Sequence, residues 1–259
     1  MCYSGLMAGL VVGIIVFLLG LCLGSFLNVV VYRLNHQLSP LRGRSFCPKC
    51  KKKILWQDNL PLLSFLLLKG RCRSCHSPIS WQYPLVELAT GLVTFLIVFY
   101  FSLPLVNILY LLLVSYALIV IAASDFLYQT IPDEAVYFGI VLALSYSFLV
   151  SHDLTSILSG LGASLFFLLL AVATRGKGMG MGDVKLVGFL GLFLGFPQIL
   201  VALFLAFLTG AVFGVILILV GKKRLGEHLA FGPFLASTAW LSWFWGQKIW
   251  ELYLGKFLI

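Results

Sequence analysis

Acidic side chains are scarce in this chain. There are nine in 259 residues, and only 10% of all residues are charged. Soluble domains carry roughly 25% charged residues, so a surface wetted on every side is excluded. A secreted disulfide framework is also missing, because four of the six cysteines form a regular pair of pairs. No basic segment precedes the first apolar run, residues 5–32, and Arg33 is the first charge. That run exceeds the roughly 7–15 residues of a signal-peptide core, which predicts a retained first helix. No lipid-attachment pattern surrounds Cys2. The glycines at 176, 178, 180 and 182 follow no strand and open no βαβ unit, so they do not form a dinucleotide fingerprint.

Apolar sequence is abundant, at 61%. A membrane-crossing helix needs about 20 mostly apolar residues. The expected architecture is therefore an all-α polytopic membrane protein with about eight spans, near 6–32, 84–101, 105–123, 136–150, 155–174, 185–197, 199–220 and 229–247. Turn or charge signals separate them at Ser102-Leu103-Pro104, Ile131-Pro132-Asp133, Ser151-His152-Asp153 and Gly195-Phe196-Pro197. In the short span 185–197, Gly188, Gly191 and Gly195 recur at near-helical spacing, which fits close helix packing in lipid. The chain divides into a first helix (1–32), a loop (33–83) and a helical core (84–259).

Threading the spans alternately puts sixteen of the eighteen Lys and Arg residues on one side, leaving Lys248 and Lys256 on the other. Ten of the sixteen fall in 33–83; the rest are Arg175, Lys177, Lys185, Lys222, Lys223 and Arg224. The positive-inside rule assigns that side to the cytoplasm. The net charge of +9 then reflects orientation and attraction to anionic lipid, with no need for a nucleic-acid partner.

Within the first basic loop stand Cys47-Pro48-Lys49-Cys50 and Cys72-Arg73-Ser74-Cys75. Doubled C-x-x-C at this separation suits a tetrahedral Zn²⁺ held by four thiolates, a closed and hence structural site. Redox pairs are the weaker alternative in a reducing compartment.

Most of the acids read as solvated groups or helix-start charges; Asp58, Asp153, Glu227 and Glu251 are of the first kind, Asp133 and Glu134 of the second. Asp125 and Asp183 differ. Asp125 ends the apolar run from Tyr110 to Ser124, and Asp183 follows Gly180-Met181-Gly182 and opens another apolar run. Acids beside lipid are functional candidates by default. Two carboxylates sharing one site cannot both ionise easily, so one can act as base towards a water while its partner holds a proton. The same residue types also serve proton or ion transport. Gly180 and Gly182 leave room for an extended peptide, and Lys185 suits either an anionic neighbour or the membrane interface.

Taken in order, these segments resemble the prepilin peptidase, or type IV leader peptidase, family. The resemblance runs from Gly24-Ser25-Phe26-Leu27-Asn28 to Arg33 and through both C-x-x-C pairs with Asp58-Asn59-Leu60-Pro61 between them. It continues with Tyr83-Pro84-Leu85-Val86-Glu87, Asp125 with Ile131-Pro132-Asp133, Gly180-Met181-Gly182-Asp183-Val184-Lys185, and Phe231-Gly232-Pro233-Phe234. It implies an aspartyl endopeptidase with Asp125 and Asp183 as catalytic pair and Gly180, Gly182 and Lys185 lining the substrate channel. It implies prepilin or pseudopilin substrates that lose a short basic leader at the cytoplasmic face of the bacterial inner membrane. Bifunctional members carry the Cys loop and also methylate the new amine with S-adenosylmethionine. By resemblance alone, Glu87 and Gly91 are the residues for that second site; helix start and helix packing are their plain alternatives. A presenilin-like protease would share Gly-x-Gly-Asp but gives no reason for the Cys loop. A transporter or a structural pilus-system subunit predicts no peptide hydrolysis.

Overall fold

The computed structural model describes residues 2–40, 42–101, 103–176, 179–222 and 229–257. Gly178, together with Lys177, Lys223, Arg224 and Glu227 from the charge argument, lies outside the described residues. The described residues form helices and turns, with two isolated β-bridges and no named strand, as the apolar runs predict. The helices are α1 (Cys2–Asn35), α2 (Leu63–Leu67), α3 (Gln82–Tyr100), α4 (Leu105–Tyr128), α5 (Asp133–Tyr146), α6 (Leu154–Ala173), α7 (Met181–Leu194), α8 (Gln198–Leu219) and α9 (Gly232–Phe257).

Each of the eight apolar runs becomes a helix. Six helical segments among the described residues are long and apolar enough to cross a membrane: Gly9–Asn35, Gln82–Phe99, Leu105–Tyr128, Asp133–Ser151, Leu154–Ala173 and Gln198–Leu219. Neither α7 nor α9 is one of the six. With 14 residues, α7 extends only about 21 Å at 1.5 Å per residue, short of a hydrocarbon core of about 30 Å.

The chain forms two compact units, Met1–Ala123 and Ser124–Ile259. In the first, α1 and α3 approach so closely that side chains are squeezed out. A Cβ on Gly20 would lie 2.8 Å from Gly91 Cα, and one on Gly24 would lie 2.7 Å from Glu87 Cα. In lipid, where burying apolar surface yields nothing, such close backbone contact is what holds helices together. Thr90 and Thr94 return their hydroxyls to Val86 O and Thr90 O, both at 2.7 Å, so the interface carries no stranded donor there.

The second unit is organised around α7. Val184, Leu186, Val187, Phe189 and Leu190 are buried. Gly188 and Gly191 face α6; a Cβ on Gly191 would come within 2.6 Å of Gly160 Cα. Gly195 ends α7 with φ +69°, a conformation that favours glycine. The near-helical glycine spacing thus serves packing and helix termination. At the start of α6, Asp153 caps the helix by accepting the Thr155 N–H at 2.8 Å. Pro132 and Pro197 stand immediately before α5 and α8, where a missing N–H costs nothing.

Candidate functional site

Within the second unit, Asp125 lies in the last turn of α4 and Asp183 in the first turn of α7. Asp125 is only 6% exposed. Its Oδ2 accepts the Gly232 N–H at 2.7 Å. Gly232 opens α9, so the donor is one of the four N–H groups that a helix start leaves without an intrahelical partner. A Cβ at position 232 would sit 2.8 Å from that same oxygen. Glycine is therefore required for the backbone to come this close to the carboxylate.

Asp183 is half-buried and held by its own turn. Gly180 N–H donates to Asp183 Oδ2 at 3.3 Å, and Asp183 N–H donates to Gly180 O at 3.2 Å. The reciprocal pair closes the start of α7 as a capping box does. Burial pushes the Asp183 carboxyl up to about 6; the Gly180 N–H opposes the rise and the charge of Asp125 adds to it. The charge of Asp125 is thus felt at Asp183, and both acids belong to the same compact unit.

The surrounding glycines have different reasons. A Cβ on Gly182 would press to 3.1 Å against Ile131 Cβ, so packing against the segment before α5 is tight there. Among the described residues, a Cβ on Gly180 would meet nothing nearer than Asp183 Oδ2 at 3.6 Å, so packing against them does not explain this glycine. Lys185 extends towards α5, where its Nζ donates to Asp133 Oδ1 and Oδ2 at 2.9 and 2.8 Å and lies 5.4 Å from the Tyr137 ring centre. Its anionic neighbour is thus Asp133, at the start of α5.

In the first unit, the Sγ atoms of Cys47, Cys50, Cys72 and Cys75 all lie within 4.8 Å of one another, and this cluster could hold a metal ion. Cys47 Sγ and Cys75 Sγ are 3.8 Å apart. Zn–S bonds of about 2.3 Å at tetrahedral angles separate sulfurs by about 3.8 Å. The two pairs sit on equivalent turns. Lys51 N–H donates to Cys47 O and His76 N–H to Cys72 O, both at 2.9 Å. Lys51 and His76, four residues after the first cysteine of each pair, both have positive φ, +58° and +55°. Each turn is closed by a bridge, Phe46 with Lys53 and Arg71 with Pro78. Asp58, between the turns in sequence, accepts from Arg73 Nη2 at 2.6 Å and from Arg73 Nε at 2.9 Å.

Glu87, 7% exposed, accepts the Leu62 N–H at 2.9 Å. It lines a cavity shared with Ser25, Asp58, Asn59, Ser64 and Tyr83. Gly91 faces α1, where a Cβ would meet Leu21 Cδ2 at 2.8 Å, so its glycine is explained by helix packing. The sequence reading left two residues without a role. One is Gly232, found only as part of Phe231-Gly232-Pro233-Phe234. The other is Arg33, 5% exposed, whose guanidinium donates to the carbonyls of Ser39, Pro40, Arg42, Gly43 and Arg44 and folds the chain leaving α1 around itself. A buried charge at the end of an apolar run was the available signal for Arg33. A backbone donor such as Gly232 leaves none.

The Bacterial Peptidase A24 N-terminal domain matches residues 18–101, and the Type IV leader peptidase family matches residues 112–215. The chain is 32% identical to a protein of Aeromonas salmonicida, with 94% of each chain covered, and 32% identical to one of Pseudomonas aeruginosa, with 92% of this chain and 91% of the relative covered. It is 34% identical to a Bacillus subtilis protein, with 93% of this chain and 97% of the relative covered. All three relatives bear the name prepilin leader peptidase/N-methyltransferase. No solved structure matches the chain. With both halves of the chain matched in order and relatives this similar along nearly the whole length, the chain belongs to the type IV leader peptidase family.

Proposed function

We propose that this multi-pass membrane protein is a prepilin leader peptidase whose catalytic pair is Asp125 and Asp183. What supports the assignment is that both acids belong to one compact unit and the charge of one acts on the other. One comes from α4 and the other from α7, and each is fixed by a glycine N–H. A water between the carboxylates gives a proton to the ionised one and attacks the scissile carbonyl. The protonated partner donates to the developing oxyanion, and the proton then passes to the leaving amine. Gly232 and Gly180 orient the two acids. Gly180 and Gly182 line the path of the extended leader segment, and the Lys185–Asp133 pair keeps the start of α5 beside that path. Asp125 and Asp183 each carry equal weight, because the protons belong to the pair.

The distribution of Lys and Arg supports a cytoplasmic position for the Cys loop and the dyad. Substrates are prepilins or pseudopilins whose basic leader stays at that surface while the apolar pilin helix rests in lipid. Nucleic acid has no part in this reading. The four thiolates fit a structural Zn²⁺, since all four positions are filled by protein and none is left for a substrate. The relatives' second name supports N-methylation after cleavage. Glu87, Asn59 and Tyr83, with Phe46 and Phe65 on the same cavity wall, suit a nucleoside bearing cationic groups. S-adenosylmethionine, when bound, would supply the methyl group; Glu87 would hold the positive end of cofactor or substrate, and Gly91 would keep α3 against α1 beneath it.

Mass spectrometry of a co-expressed prepilin tests the assignment. The parent chain is expected to yield leader-free, methylated product. Asp125→Asn and Asp183→Asn are each expected to leave the leader in place, a loss of at least about a thousandfold in rate, with membrane insertion and thermal stability retained. Full processing by either variant sinks the dyad.

A further inference from the structure

Around the second cysteine turn, from Leu63 to Trp81, the chain exposes a compact apolar face. On α2, Leu63, Leu66 and Leu67 occupy positions i, i+3 and i+4, one side of a helix. Leu66 is 70% and Leu67 78% exposed. Trp81 is 71% exposed, and its ring lies 5.0 Å from that of Phe65 on the same short helix. Large exposed apolar patches with polar rims mark docking surfaces. The position of this one indicates what covers it.

The patch is anchored to the beginning of a membrane span. Leu62 N–H, immediately before α2, donates to Glu87 Oε2. Glu87 is in the second turn of α3, about 8 Å along the helix from Gln82 at 1.5 Å per residue. Trp81 directly precedes α3, and Leu85 in its first turn is exposed as well. The leucine face therefore sits level with the first turns of the segment Gln82–Phe99, one of the six long enough to cross a bilayer. Basic residues border it. Lys69 and Arg71 follow α2 directly, and residues 33–83 contain ten Lys and Arg against one acid, Asp58.

We propose that Leu63, Leu66, Leu67 and Trp81 form a membrane-interface foot that rests the Cys-bearing module on anionic lipid of the leaflet where α3 begins. The leucines enter the boundary between headgroups and acyl chains, as the apolar side of an interfacial helix does. Trp81 sits at the level where aromatic belts form. Lys69 and Arg71 reach lipid phosphates, a contact that salt weakens. The foot needs neither the dyad nor bound metal; it depends only on the chain being in a bilayer.

The test places p-azidophenylalanine at position 67 of the full-length chain, reconstituted in nanodiscs of phosphatidylethanolamine and phosphatidylglycerol, with the same probe at Lys49 between two cysteines as control. Intact-mass analysis after illumination is expected to show lipid adducts several-fold more abundant at 67 than at 49, and enriched in phosphatidylglycerol relative to its share of the bilayer. Adding Leu66→Glu, an exposed position whose change spares the core, is expected to cut the lipid adducts several-fold. Adducts joining two copies of the chain, adducts to a co-reconstituted prepilin, or equal lipid labelling at both positions would overturn the proposal.

Discussion

The two compact units solve the same problem, holding polar groups beside a membrane, in opposite ways. In Met1–Ala123 the chemistry-bearing residues are neighbours in sequence. Cys47 and Cys50 are one turn, Cys72 and Cys75 another, and an ion pair with Arg73 ties the second turn to Asp58. In Ser124–Ile259 the turn of Gly180 holds Asp183 locally, but the other partners come from elsewhere. Asp125 depends on an N–H 107 residues away, and Lys185 reaches Asp133 across 52. The local site is open to disruption by removing one thiol, or the metal ion that the four thiols could hold. The distributed site depends on helix packing, and its weak points are the places where backbones touch.

The largest expected effect follows on the local side. Structural zinc contributes about 10–16 kcal/mol to the folding of small zinc modules, far more than turns of this size gain otherwise. Cys47→Ser, or chelation of the purified protein, is expected to release the metal and open residues 33–83 to protease nicking. Leader cleavage is expected to persist within several-fold, while methylation is lost. If cleavage collapses as steeply as the loop, the two units are not separable in function. Metal content, limited proteolysis and product mass read this out together.

An intermediate effect is expected at Gly232. The backbone there is not left-handed, so alanine is conformationally allowed, and only space opposes it. The added Cβ would lie 2.8 Å from Asp125 Oδ2 and 3.0 Å from Asp125 Cβ. Overpacking of this kind costs about 1–3 kcal/mol, and here the strain falls on a carboxylate that must hold its orientation. Gly232→Ala is expected to slow leader cleavage by about 10- to 100-fold, with little change in substrate KM. The comparison case is Gly91→Ala in the other unit. It overpacks the α1–α3 interface against Leu21 and is expected to lower stability while leaving the cleavage rate of the folded fraction alone.

The same contrast explains what could be read from the sequence. The cysteine site was legible because i, i+3 spacing encodes a turn directly. The helices were legible from apolar runs, with ends that shifted for local reasons: α7 begins at Met181 because Gly180 and Asp183 close its first turn on each other, and α9 runs on to Phe257. The proposed pairing of Asp125 and Asp183 rests, in the sequence, only on two costly acids at the ends of apolar runs. Gly232 was not legible as a ligand of Asp125, since a main-chain donor leaves no mark in side-chain chemistry. The helix α2 inside the loop 33–83 was missed because five leucine-rich residues are too few to show a period.

The smallest expected effect is at the rim of the distributed site. Lys185 pairs with Asp133 through both carboxylate oxygens, yet Asp133 is about half exposed, at 52% of its side-chain area. Exposed ion pairs contribute little, because water competes for both charges and salt screens them. Asp133→Asn keeps an oxygen for Lys185 and removes only the charge, so folding is expected to be unchanged and leader cleavage to fall by no more than a few-fold. If the pair merely anchors α5, high salt should slow the parent enzyme towards the variant's rate and leave the variant unaffected. If Asp133 instead meets the basic leader, the loss should appear in KM, grow with the number of leader lysines and arginines, and shrink for a leader in which they are neutralised. Cleavage kinetics on those two leaders at two ionic strengths distinguish a brace for the α5 start from a recognition group.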